Sequence, residues 1–164
     1  MSKFSGWLVF AGLLAGPMAQ ACVALPTELA GLPLVRVIIA PTGGREQVID
    51  AYLAQSPPAR AQGFQNVCAE QIQIMAILFV FDSSGRRPFH MRNVSAPLDI
   101  LFAGDEGEVL DVQVMEVYSD DQPVRLYTTP QAYRYALETT AGRLLPLFSN
   151  GISGQLRIDG VVGE

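Results

Sequence analysis

Residues 74–81, IMAILFVF, place eight apolar side chains in succession. Neighbouring side chains of a strand point to opposite faces, so an apolar run without alternation is a strand that has to be covered on both sides. A chain built around it needs cover for two faces. We therefore take this run as the centre of the core and read the remaining segments for what closes over it.

Most of that material reads as short strands. Residues 34–40 form a β-branched run, Pro41-Thr42-Gly43-Gly44 supplies a turn, and residues 47–53 alternate, which predicts a hairpin. Ser56 is placed to cap a short helix with Pro57 in its first turn and Gly63 at its end. Asp82-Ser83-Ser84-Gly85 reads as a turn, residues 88–91 as extended chain, and residues 98–103 as a second apolar strand closed by Gly104-Asp105-Glu106-Gly107. Residues 109–117 alternate, with Val112, Val114 and Met115 inward. A mixed segment follows at 133–139, a short helix interrupted by Pro146 at 141–149, and a last strand at 155–158. Short strands, one or two short helices and closely spaced turns predict an α+β domain that is compact, mostly antiparallel and barrel-like.

Four blocks in this order carry a family resemblance: ARAQGF (59–64), ILFVF (77–81), FHMRNVSAPLDILF (89–102) and YALETTAG (135–142). Over residues 35–159 the chain resembles the DUF192 family, also called UPF0127, whose pattern is E-R-x-x-G-L-M, G-M-L-F-V-F, F-W-M-K-N-T-x-x-P-L-D and V-L-E-x-x-A-G. The resemblance implies a β-rich, barrel-like domain and, in many members, export; it implies no biochemical activity, because the family has none established. Met91, Asn93, Pro97, Leu98, Asp99, Glu138 and Gly142 keep the pattern. Departures are His90 for tryptophan, Arg92 for lysine, Val94 for threonine, Phe64-Gln65 for Leu-Met and Ala76 for glycine.

The third block gathers the candidate ligand-binding residues His90, Arg92, Asn93 and Asp99 among apolar neighbours. Arg92 suits an anionic group and His90 offers a ring face. The competing structural reading makes Asn93 and Asp99 acceptors of backbone N–H groups that tie strands together. A hydrolase-like site would use Asp99 as base, His90 as proton shuttle and Arg92 as oxyanion clamp. Yet His90 is the only histidine, and no nucleophile turn surrounds Ser95. No catalytic residue is therefore assigned. Nor is a cofactor or metal: one histidine and an acidic run at 105–111 match neither zinc nor calcium spacing. Glu138 is a candidate partner for Arg92 or Arg60, and Tyr127, Tyr133 and Tyr135 with Arg125 and Arg134 read as edge-strand cover or as an aromatic binding face.

Location comes from the N-terminus. Lys3 is the only early charge, an apolar stretch runs from about residue 7 to 15, and Ala19-Gln20-Ala21 is a small-x-small cleavage pattern, so residues 1–21 read as an export signal. Residues 22–33 then form a lead-in and 34–160 the domain, periplasmic or secreted. The mature chain has no second apolar stretch long enough to span a bilayer. Cys22 and Cys68 admit three readings: a disulfide, a lipid anchor on Cys22, or two free thiols. With 16 acidic against 11 basic residues, a net charge of −5 and no basic tract, the chain is a poor match for nucleic acid. The expected role is a non-catalytic binding or accessory module of the bacterial envelope, with a small molecule or an envelope protein as partner. The hydrolase-like enzyme is the alternative.

Overall fold

The computed structural model describes residues 21–163; apart from Ala21, the segment read as an export signal lies outside them. Seven strands make one mixed sheet that curls into a half-barrel: β1 Leu34–Pro41, β2 Gln47–Ala54, β3 Ala76–Gly85, β4 Leu98–Ala103, β5 Val109–Met115, β6 Tyr133–Thr140 and β7 Gly154–Val161. Their order is β5-β4-β6-β3-β2-β1-β7. The expected hairpin is present, with Val37 opposite Ile49. All pairs are antiparallel except β2 with β3. A parallel pair needs a long crossover, here carrying the short helices α2 Pro57–Gln62 and α3 Ala69–Ile72; a third, α1 Thr27–Ala30, precedes β1.

β3 is covered on both faces from Ala76 to Phe79, but the apolar run overshoots it: Ile74 precedes the strand and is 74% exposed. Ile77, Phe79 and Phe81 join one apolar cluster with residues of the helices, while Ala76 and Leu78 join a second with Val35, Val37, Leu101, Leu137 and Phe148. The sheet edges approach at one point, where Leu156 N–H donates to Gly107 O at 2.7 Å. Gly107 has φ +82°, and a Cβ there would sit 2.1 Å from the Leu156 carbonyl oxygen, so only glycine lets the edges meet.

Three local readings differ from the structure. The 82–85 segment is not a turn: β3 continues to Gly85, and its register with β6 shifts between Val80 and Gly85. Residues 88–91 form no strand and keep only a bridge between Phe89 and Tyr127. The helix expected over 141–149 is a 3-10 turn, Leu145–Phe148, with Pro146 in its first turn.

The lead-in is part of the fold. Leu29 is fully buried, and Val23 bridges Val67, with Cys68 N–H donating to Val23 O at 2.9 Å. Of the three readings of the cysteines the structure holds the disulfide, Cys22 to Cys68, with Cα atoms 4.9 Å apart. Closing a loop of 46 residues removes unfolded-state entropy, so Cys22→Ser is expected to lower the unfolding free energy by about 3 kcal/mol. Urea denaturation with and without reductant checks this: the reductant should move the wild type and leave the variant in place.

Candidate functional site

α2 starts where Ser56 Oγ accepts from Ala59 N–H at 3.3 Å and stops at Gly63, whose φ of +48° is a left-handed conformation. At that stop the chain passes close over β6. A Cβ on Gly63 would lie 3.6 Å from the Phe79 ring and 3.8 Å from Glu138 Oε2. Between α2, β3, β6 and residues 87–90 lies a cavity of about 220 Å³. Its walls include Phe64, Phe79, Phe81 and Phe89, with Phe79 and Phe89 edge to face at 5.1 Å.

Glu138 is the group this cavity surrounds. It sits in the middle of the sheet, opposite Ile77 of β3 and Ile100 of β4, and is 5% exposed. Among the described residues no side chain bonds to it or pairs with it, so neither Arg92 nor Arg60 is its partner. Burial alone pushes its carboxyl up to about 8. Two guanidiniums share the cavity. Arg60 lies 5.3 Å and Arg87 4.5 Å from the centre of the Phe81 ring. Arg60 Nη1 donates to Val80 O at 3.1 Å and also to Gln55 O, and Nη2 comes within 3.9 Å of Asp82. Arg87 makes no ion pair among the described residues, and its Nη1 is buried without an acceptor. The Tyr133 hydroxyl donates to Arg87 O, and burial pushes that phenol up to about 12.

The four residues proposed from the third block do not form one site. His90 is exposed at the cavity rim, its Nδ1 accepting from Arg92 N–H at 3.3 Å. Arg92 turns away to lie 5.8 Å from the Tyr118 ring centre. Asn93 adopts φ +59°, its backbone carbonyl, not its side chain, accepts from Asn66 N–H at 2.7 Å, and it faces a separate hollow beside Cys22. Asp99 is on the opposite side of the sheet from Leu98 and Ile100, fully buried, with Oδ2 accepting from Leu144 N–H at 2.7 Å and Leu145 N–H at 3.1 Å. The physical reason is the strand period of two, which aims Asp99 away from the face on which the 88–94 segment packs. Of the tyrosines, Tyr133 and Tyr127 are buried, and the Tyr127 hydroxyl accepts from Glu116 N–H, so these two do not offer an open aromatic face.

What the residue-by-residue reading missed is that all four blocks converge here: Arg60, Gly63 and Phe64 from the first, Phe79 and Phe81 from the second, Phe89 and His90 from the third, Glu138 from the fourth. A signal was present, in that Glu138 is the one charge in the apolar stretch YALETTAG.

A family model described as "DUF192: Uncharacterized ACR, COG1430" matches residues 38–147. Two solved structures are similar. One is a protein from Sinorhizobium meliloti 1021 described as a candidate transcription regulator, 22% identical, with 77% of this chain and 95% of that chain covered and a TM-score of 0.67. The other is a protein of unknown function from Novosphingobium aromaticivorans DSM 12444, 22% identical, with 84% and 91% covered and a TM-score of 0.61. At this identity they speak for the fold. No curated protein matches the chain.

Proposed function

The chain belongs to the DUF192 family, and from that premise we propose a non-catalytic binding module of the bacterial cell envelope whose ligand seat is the cavity over Glu138. The observation that carries the reading is a buried carboxyl without a partner, aimed into a cavity with aromatic walls. Burying an unpaired polar group opposes folding, and such groups concentrate at functional sites. The cavity lining holds no hydroxyl or thiol, and burial keeps its one carboxyl, Glu138, protonated at neutral pH and so a poor nucleophile there, which favours binding. The hydrolase-like alternative finds less support, since Asp99, Arg92 and His90 face three different surroundings. The envelope location rests on residues 1–21 as an export signal and on the disulfide, which suits an oxidising compartment.

The test is a screen of neutral, cationic and anionic single-ring fragments by thermal shift and amide chemical-shift mapping. A binder present at ten times its Kd should stabilise the fold by about 1.4 kcal/mol and move the amide signals of Gly63, Phe89 and Glu138. Stabilisation by no fragment, or shifts confined to other surfaces, would sink the reading.

A further inference from the structure

The charges around the cavity narrow what it can hold. Arg60 comes from α2, Arg87 and His90 from the 87–90 segment and Glu138 from β6, while β3 contributes Phe79 and Phe81; outside the lining, Tyr133 of β6 and Ile100 of β4 neighbour Glu138. With Arg60 and Arg87 against Glu138 the lining itself is net positive in either state of that carboxyl; Asp82, exposed and 3.9 Å from Arg60, offsets part of that charge and leaves Arg87 as the unneutralised cation. A ligand cation would meet both guanidiniums. An anion would find an unneutralised charge on Arg87, which lines the cavity, stacks on Phe81 and has no ion pair among the described residues. Size is the second constraint. A cavity of roughly 150 Å³ takes a benzene ring, so about 220 Å³ has room for one ring and a small substituent.

We infer that the cavity binds a small monocarboxylic acid with a single-ring or similarly compact apolar body, its carboxylate held by Arg87 and Arg60 and its ring packed on Phe79 and Phe89. The inference rests on the binding reading above and adds the chemical class. It carries a pH signature. An anion is compatible with protonated Glu138 and repelled by its ionised form, and burial keeps that carboxyl protonated up to about pH 8. Affinity should therefore hold through neutral pH and fall as pH rises above that region. Arginine does not titrate there, and Tyr133, pushed up to about 12, does not either.

The experiment titrates sodium benzoate, benzamide and benzylammonium chloride into the isotopically labelled chain at pH 7 and follows amide shifts at Gly63 and Phe89. Benzoate should bind at least about tenfold more tightly than benzamide, and Arg87→Gln should erase that margin, the worth of one charge-assisted bond. Between pH 8 and 10 benzoate affinity should fall by about tenfold per pH unit in the wild type and stay level in Glu138→Gln. Should Arg87→Gln fail to fold, Arg87→Lys and the wild-type pH profile still decide. Equal or tighter binding of benzamide or benzylammonium overturns the chemical class and leaves the binding reading standing. Silence from all three probes also overturns the class, and the fragment screen then decides the binding reading separately.

Discussion

Glu138→Gln is expected to raise the unfolding free energy by on the order of 5 kcal/mol at pH 9 and by almost nothing near pH 4. The sign follows from a folded-state value near 8 against the ordinary 4.5 of the unfolded chain. Below 4.5 both states hold the proton, and the carboxyl and the carboxamide are both neutral. Between 4.5 and 8 the unfolded chain releases its proton while the native state keeps it, so wild-type stability declines with rising pH. Above 8 the native state too must hold a buried anion, and the deficit levels off. Glutamine has the same shape without the proton. Urea denaturation of both proteins at several pH values measures the difference directly. A difference that stays constant with pH would mean that something pairs with the carboxylate in the native state, and the cavity would lose its unpartnered group. The same result bears on function: a large gain would show that Glu138 is kept against the interests of stability.

The second large effect goes the other way. Asp99→Ala should cost about 3 kcal/mol, because the buried Leu144 N–H and the part-buried Leu145 N–H would both lose their acceptor and an unsatisfied buried donor costs about 1–3 kcal/mol. Asp99→Asn keeps one acceptor oxygen in the same place and should cost less than half as much. Ranking alanine, asparagine and wild type by denaturation midpoint checks this, and an alanine variant as stable as wild type would refute the anchoring role. Asp99 fastens the 3-10 turn at Leu145–Phe148 to β4, and through it Phe148 to the apolar cluster on that face. Neither substitution should alter fragment binding in the Glu138 cavity, since the sheet separates the two carboxyls.

Together the two acidic residues show where legibility ends. Asp99 and Glu138 each look, in sequence, like a charge in an apolar strand. One is anchored through Oδ2 by backbone donors 45 and 46 residues away, its Oδ1 left unpaired, the other is bonded by nothing among the described residues. Strand parity settles which face each points to, but the donors that wait there depend on how residues 141–149 fold back. The same distinction covers the third block. Its polar residues are neighbours in sequence, yet the turn at Asn93, with φ +59°, and the alternation of β4 send them to separate places.

The double-faced central strand, the β1–β2 hairpin, the capped helix from Ser56 to Gly63 and the α+β class were all legible in the order of the residues. Each of these depends on interactions within a few residues, or on an apolar composition that has only one way to be buried. The extension of β3 past Phe81, the joining of Cys22 to Cys68 and the cavity itself come only from the tertiary structure. The cavity is assembled from residues 60, 63, 79, 87 and 138 by the pairing of β3 with β6 and by a crossover that lays α2 on their face. Those long-range registers are set by the packing of the whole sheet, and no local period in the chain encodes them.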